Sequence, residues 1–571
     1  MENLSENALR ILHERYLLRD EDGILKEKPE EMFRRVAGYV AKAELNWGTE
    51  KDQNYWEKEF FDLMRHLVFL PNSPTLMNAG TQSPQLSACF VLPIKDSLEG
   101  IFETLKMAAL VHQKGGGTGF NFSHLRPAGD RLSDQGGSAS GPGSFIKLYD
   151  FATEQVKQGG KRRGANMGIL NVDHPDILEF IGLRVNGKPL QNFNLSVGIT
   201  HAFMDAVEND SDWELIHPNS RIVLRKLKAR LIWDAIIEGA WESGNPGLVF
   251  LDTVNASNPL ISLGRIESTN PCGEVPLMDY EACNLGSINL SKFVKEGLID
   301  WDYLKDKVGK AVRFLDNVIE VNSYPDHKIQ KATLANRKIG LGVMGWAEML
   351  IQLDIPYDTD EAVDLAKKVM KCIHEESTLA SSKLADERGN FKNWENSLFY
   401  PHQVMRNATR NSIAPTGTIS ILADTSSSIE PLFALAFQRR KVLEGQTLTT
   451  INELFVEKLK ENGLFSRKIL DQVIADGICS HIKELPDPFK SIFKTSLEIE
   501  PEWHLKHQIA FQEFTDNAVS KTVNLPYSAS PGDISEIYTL AWKWKAKGIT
   551  VFRNDTGKEQ VLNKGIKAIC K

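Results

Sequence analysis

The stretch Glu267-Ser-Thr-Asn-Pro-Cys-Gly-Glu-Val-Pro-Leu277, followed shortly by Ala282-Cys-Asn-Leu-Gly-Ser-Ile-Asn-Leu290, decides how this chain is read. Within it, Asn270, Cys272 and Glu274 place an amide, a thiol and a carboxyl group on alternate residues. Pro271 and Gly273 favour a turn over a strand or helix interior and would hold the sulfur at a loop tip. A second thiol follows at Cys283, and a third stands far upstream at Cys89. Taken singly, a cysteine is more often a small buried hydrophobe and a nearby glutamate a solvated surface group. The whole set, by contrast, puts a redox group beside a general base and a hydrogen-bonding orienter.

Composition bounds the answer. The chain has 571 residues, of which 25% are charged and 42% hydrophobic, ordinary values for a globular enzyme large enough to bury an extensive core. A net charge of -8 argues against a general nucleic-acid surface, so the basic run Lys161-Arg162-Arg163 reads as a local phosphate site. Six cysteines without a CxxC pair make neither a disulfide framework nor a structural zinc site, which points to a reducing cytoplasm. The amino terminus lacks a secretion signal, and no apolar run reaches the roughly 18 residues of a membrane helix. No membrane or nucleic-acid partner is expected.

Leu9, Leu12 and Tyr16 recur at helical spacing, as do Phe33, Ala37 and Val40, predicting a helical N-terminal region over 1–70. Beyond it, short apolar segments such as Ala88 to Leu92, Phe193 to Val197 and Val523 to Leu525 alternate with helical patterns. One predicted helix starts at Asp358, with Glu361 as its capping partner, and buries Ala362, Ala366, Val369 and Ile373. Such alternation predicts an α/β fold over 71–560, with a tail at 561–571.

Further segments extend the pattern around Cys272. They are Leu70-Pro-Asn-Ser-Pro-Thr-Leu-Met-Asn-Ala-Gly80, Leu86-Ser-Ala-Cys-Phe90, Gly115-Gly-Gly-Thr-Gly-Phe120, Gly159-Gly-Lys-Arg-Arg-Gly164 and Ile339-Gly-Leu-Gly-Val-Met-Gly345. Towards the end come Pro415-Thr-Gly-Thr-Ile-Ser420, Ser520-Lys-Thr-Val-Asn-Leu-Pro526 and Gly548-Ile-Thr-Val-Phe-Arg-Asn554. In content and order the set closely resembles the catalytic subunits of ribonucleotide reductases, across nearly the whole chain. The resemblance implies a ten-stranded α/β barrel with the Cys272 segment threaded through it as a finger loop. It also implies reduction of ribonucleotides, with diphosphates the expected substrates, to 2′-deoxyribonucleotides for DNA synthesis. The family's optional N-terminal nucleotide-binding cone is not expected before the helical region.

Replacing a ribose 2′-hydroxyl by hydrogen calls for radical chemistry, because hydroxide leaves poorly from an unactivated carbon. On the family pattern, Cys272 becomes a thiyl radical that abstracts the 3′-hydrogen, Glu274 accepts the 3′-hydroxyl proton and Asn270 holds the substrate hydroxyls. Cys89 and Cys283 match the thiol pair that supplies two electrons by closing to a disulfide. Cys372 reads as packing on a buried helix face, and Cys479 carries no assigned role. Pro415-Thr-Gly-Thr-Ile-Ser420 on its own is more often an ordinary turn. In the family's pattern it is the substrate phosphate cradle, formed by Thr416, Gly417, Thr418 and Ile419, with Ser73 contributing from the first barrel strand. Ala88 and Gly117 also match substrate positions, although Ala88 replaces the serine found before the redox cysteine in relatives. No metal ligands are evident beyond those of a phosphate-bound magnesium ion.

The resemblance further assigns Asp96, Arg126, Lys161 and Arg163 to a deoxynucleoside triphosphate effector site, which most members build across a homodimer interface. The only late tyrosines, Tyr527 and Tyr538, are not adjacent, and a glycyl-radical ending is missing. The segment Ala541-Trp-Lys-Trp-Lys-Ala-Lys-Gly-Ile-Thr-Val-Phe-Arg553 instead resembles the adenosylcobalamin-dependent class. Two alternatives stand beside this reading: a catalytic subunit served by a separate radical-generating subunit, and a catalytically silent nucleotide sensor. Relatives end in a tail with two nearby cysteines, whereas here Cys570 stands alone. The chain therefore reads as a truncated form, or one whose active-site disulfide is reduced by a thioredoxin-like protein or small dithiol.

Overall fold

The computed structural model describes residues 4–132, 136–158, 162–184, 190–443, 446–554 and 562–564. Lys161 and Cys570 lie outside the described residues. Of Arg163 only the backbone is described, in a two-residue strand paired with Lys157–Gln158.

The leading helices are α1 (Glu6–Ile11), α2 (Pro29–Ala41) and α3 (Glu50–Arg65), with a π turn over Leu12–Tyr16 and a 3₁₀ turn over Lys42–Asn46. Each helix has a local reason to start where it does. Ser5 Oγ accepts the Ala8 N–H, Glu31 accepts from the Lys28 N–H ahead of Pro29, and Asp52 accepts from the Thr49 N–H. The expected apolar face holds at Phe33, Ala37 and Val40, all buried. It slips at Leu9, which is exposed: Ala8, Leu12 and Tyr16, four apart, face the core, and Ile11 joins them as the helix widens into the π turn.

Ten strands form the main sheet. They are β1 (Phe69–Pro71), β2 (Cys89–Val91), β3 (Gly117–Asn121), β4 (Asn166–Asn171), β5 (Phe193–Ile199), β6 (Gly247–Phe250), β7 (Ala282–Asn289), β8 (Ile339–Met344), β9 (Thr522–Leu525) and β10 (Gly548–Arg553). Strands β2 to β6 run parallel in sequence order. In the other half β7 pairs β8 in parallel, and β9 pairs β10 in parallel. Parallel bridges Leu341–Asn411 and Ile413–Val519 carry the pairing from β8 through residues 411–413 to the chain entering β9. The two halves meet antiparallel at β2–β7 and at β6–β10, which closes the ring, while β1 extends the β2 edge of β7. The expected α/β barrel is therefore present as two parallel half-sheets in opposite directions.

Helices cover the outside, as buried parallel sheets require. Those used below are α4 (Leu98–Gln113), α5 (Gly141–Gln155), α6 (Trp301–Val321) and α7 (Asp360–Arg388). Helix α7 buries Ala362, Ala366, Val369 and Ile373 as expected, but begins two residues later than Asp358: Thr359 is the cap, its hydroxyl accepting the Ala362 N–H at 3.2 Å. Asp358 pairs with Lys494 instead. Cys372 is half-buried at the rim of this face, and Cys479 is buried in a separate small core with Phe455 and Phe493.

A buried ionic network joins the helical region to the barrel. Asp316 on α6 is fully buried and meets Arg337 at 2.7 Å, Arg388 at 3.0 Å and Arg406 at 3.4 Å. Arg388 also reaches Glu44 of the 3₁₀ turn at 2.8 Å, as does Arg313. The cations hold the Asp316 carboxyl well below the usual range in spite of its burial.

Candidate active site

The finger loop is a short hairpin, Ser268–Thr269 pairing antiparallel with Pro276–Leu277. At its tip the Gly273 N–H donates to Asn270 O at 3.1 Å, a turn with proline at the second position and glycine, φ +81°, at the fourth. Asn270 clamps the base: its N–H donates to Val275 O at 3.2 Å, and its side-chain oxygen accepts the Val275 N–H at 2.9 Å. Cys272 is exposed at the tip, as the proline–glycine flanks predict.

Both half-barrels grip this loop. From β5, Asn194 Nδ2 donates to Pro271 O at 2.7 Å. From the other half, Ser412 Oγ and the Ala518 N–H donate to Glu274 O at 2.8 and 2.9 Å. The loop also lies hard against β3, where a Cβ on Gly119 would sit 1.7 Å from Thr269 O and one on Gly117 2.8 Å from Pro271 Cγ. Glycine at these two positions makes room for the finger. Gly117, expected at the substrate, here lies against the loop.

Glu274 points inward and is 2% exposed. Burial pushes its carboxyl up to about 7, opposed by a hydrogen bond from Asn270 that favours the ionised form. Its Oε2 has no partner within the protein. A buried acceptor of this kind, poised near neutrality, suits a general base awaiting a hydroxyl.

Beneath the loop, Cys89 on β2 and Cys283 on β7 are direct cross-strand partners. Both are buried thiols whose burial pushes their pKa values up, which keeps them protonated. Asn270 Nδ2 donates to Cys89 Sγ at 3.2 Å, so this amide, expected on the substrate hydroxyls, here orients the Cys89 thiol. The Lys338 ammonium, 1% exposed and 2.6 Å from Glu281, partly offsets the effect of burial on Cys283. Apolar walls from Val91, Val275, Leu277 and Leu285 surround the pair, with Ala88 and Ala414 packed against them. Ser87 does not stand in for the serine missing at Ala88, because neighbouring residues of an extended segment face opposite sides and its hydroxyl accepts from Asn322 at 3.2 Å.

Ala414 leads directly into the expected phosphate cradle. Thr416 has φ +53°, and its hydroxyl accepts the Ser428 N–H at 2.7 Å, which fixes the loop. Gly417 faces open space, Thr418 caps a four-residue helix and Ile419 is buried. Ser73 lies in the helix Ser73–Asn78 rather than in the first strand, because Asn72 ends that strand and caps the helix through the Thr75 N–H. Its Oγ is 2.8 Å from Tyr16 OH, and Arg15 Nη1 donates to Thr418 Oγ1 at 3.3 Å. Arg15 was not singled out from the sequence, and Tyr16 was read only as part of a helical apolar face.

Away from this centre, Arg126 Nε meets Asp96 Oδ2 at 2.9 Å, so the structure brings this expected effector pair together. Asn219 Nδ2 donates to the same oxygen at 2.6 Å, an addition that no motif announced.

The chain matches two family models, "Ribonucleotide reductase, all-alpha domain" over residues 2–84 and "Ribonucleotide reductase, barrel domain" over residues 87–404 and 400–552. It is 48% identical to the vitamin B12-dependent ribonucleoside-diphosphate reductase of Thermoplasma acidophilum, over 98% of this chain and 80% of that protein. The protein of the same description from Mycobacterium tuberculosis is also 48% identical, over 98% of this chain and 81% of its own length. Among solved structures, the Actinobacillus ureae class Id ribonucleotide reductase alpha subunit superposes with a TM-score of 0.80 at 25% identity, covering 97% of this chain and 98% of that one. On its family matches, its close relatives and its barrel, this chain belongs to the ribonucleotide reductase family.

Proposed function

We propose that this chain reduces ribonucleoside diphosphates to 2′-deoxyribonucleoside diphosphates through a thiyl radical at Cys272. The observation that carries this reading is the gathering of an exposed finger-loop thiol, the buried Glu274 carboxyl and the register-paired thiols Cys89 and Cys283 in one site, where Glu274 and Cys272 both act electrostatically on Cys89. Cys272 removes the 3′-hydrogen as an atom while Glu274 takes the 3′-hydroxyl proton. The 2′-hydroxyl leaves as water, its proton coming from the thiol pair. The two thiols give up two electrons and two hydrogens in all, one to the departing water and one to C2′, forming one S–S bond, while Glu274 returns the proton to the 3′-oxygen and Cys272 returns the hydrogen to C3′. Protonated resting thiols suit this task, since they donate both protons and electrons.

Adenosylcobalamin, when bound, supplies the initiating radical. The residues fit such a source: Cys272 lies open rather than sealed, so a radical can reach it without a protein relay. Tyr538 is fully buried and tied to Pro246 O at 3.1 Å, while Tyr527 is largely exposed, so the two late tyrosines form no stacked relay pair. The relatives described as vitamin B12-dependent support the same choice.

A homodimer is supported by exposed Leu98, Phe102 and Leu110 on α4 and Phe151 on neighbouring α5, an apolar face of the kind that marks association. Deoxynucleoside triphosphates bind at Asp96 and Arg126, and magnesium accompanies the phosphates. A thioredoxin-like protein or small dithiol resets the disulfide. Among the described residues no helix is long and apolar enough to cross a membrane, and sparse cysteines without a CxxC pair fit a cytoplasmic setting.

Incubating the purified chain with adenosylcobalamin, a small dithiol and each ribonucleoside diphosphate or triphosphate tests the proposal. Deoxynucleoside diphosphates should form, and Cys272→Ala should abolish their formation. Retained turnover in that variant, or none in the wild type, overturns the mechanism.

A further inference from the structure

Three contacts fasten the first turns of the chain onto the loop after residue 415, and a fourth ties them to Ser73. Ser5, the cap of α1, donates its N–H to Asp424 Oδ2 at 3.2 Å and its hydroxyl to the other carboxylate oxygen. Arg15 donates to Thr418 Oγ1, and Tyr16 OH meets Ser73 Oγ, at the distances given above. Arg15 is half-buried and Tyr16 buried, on adjacent residues of the π turn, so one short strap reaches two hydroxyls of the phosphate cradle.

The cradle has a chemical shortfall that the strap answers. Ser73, Thr416, Gly417, Thr418 and Ile419 offer hydroxyls and amides but no cation. A nucleoside diphosphate brings a strongly anionic group, and a guanidinium is the side chain best shaped to meet it, with donors in a planar fork. We infer that Arg15 is a substrate-binding residue that pairs with the terminal phosphate, with Tyr16 holding the strap in place through Ser73. This rests on the reading of residues 415–419 as the phosphate cradle. The helical region then completes the active site as well as supporting it.

The test is steady-state reduction of a ribonucleoside diphosphate by the full chain with adenosylcobalamin and a small dithiol. Arg15→Gln should raise KM at least ten-fold with a much smaller fall in kcat. Arg15→Lys, which keeps the charge but loses the fork, should fall between it and the wild type. Raising ionic strength should increase the wild-type KM and leave that of Arg15→Gln nearly unchanged, because a screened charge pair is what is lost. An unchanged KM in Arg15→Gln overturns the inference. So does a joint loss of kcat and Tm in both variants, which would make the guanidinium a structural tie. A wild type that reduces no ribonucleotide fails the proposed function itself, a result distinct from either.

Discussion

Cys89 and Cys283 stand directly opposite one another on antiparallel strands, with the Ala88 N–H donating to Cys283 O at 3.1 Å. Cross-strand neighbours in such a ladder have Cα atoms about 4.5–5.5 Å apart, inside the roughly 4.4–6.8 Å that a disulfide needs. The pair can therefore close without strand movement. After a single turnover without added reductant, thiol mapping should find the Cys89–Cys283 bridge and Cys272 outside it. A bridge that includes Cys272 would reverse the assignment of roles.

Glu274 makes a prediction with a sign. As a general base it acts ionised, so kcat/KM should rise with pH through about 7. Its effect on stability runs the other way. The folded carboxyl holds its proton up to about 7, against an ordinary value of 4.5, so stability falls as pH rises between those values. Above pH 7 the buried charge costs about 3 kcal/mol, a cost that Glu274→Gln removes. That variant should lose about 10²–10⁴ in kcat, yet gain thermal stability over the wild type at pH 8 and not at pH 4.5. A pH-independent wild-type rate from pH 5.5 to 8 would falsify the base assignment.

Much of this arrangement was legible in the order of residues, for reasons that differ from part to part. The turn at Cys272 is local, since proline and glycine at fixed offsets dictate it, and so are the apolar faces of α2 and α7. Barrel closure is not local. It depends on bridges such as Ile413–Val519, between short segments without strand periodicity. The groups that grip the finger escaped notice for the same reason: Asn194, Ser412 and Ala518 act from three distant segments, two through a single backbone carbonyl. Asn194 did leave a trace, as a polar residue inside the apolar run from Phe193 to Val197. Leu9 misled because helical spacing was read through a π turn, where the period changes.

Gly119 offers a test of the finger loop as a positioned element. A Cβ there would sit 1.7 Å from Thr269 O, closer than any contact allows, so Gly119→Ala must push the hairpin away from β3. A displacement of about 1 Å at a reacting group can cost roughly 10² in rate. Turnover should fall by at least that factor while far-ultraviolet circular dichroism stays native. Wild-type kcat in Gly119→Ala would mean that the loop does not need this close approach.

The last prediction separates stability from chemistry. Asp316 sits among Arg337, Arg388 and Arg406 with no exposure of its own, and through Arg388 it is linked to Glu44 of the helical region. Replacing such a charge with a neutral group leaves buried cations uncompensated, a loss of about 3–5 kcal/mol when one partner of a buried pair is removed. Asp316→Asn should therefore lower Tm markedly, while at permissive temperature kcat stays near the wild-type value, because the network touches neither the finger loop nor the thiol pair. The pH sign follows from the depressed carboxyl. Its contribution is present above the ordinary aspartate range and fades as pH falls towards the lower folded value, so the Tm gap between wild type and variant should narrow in acid. A gap that widens on acidification would show that Asp316 is not the anchor of this network.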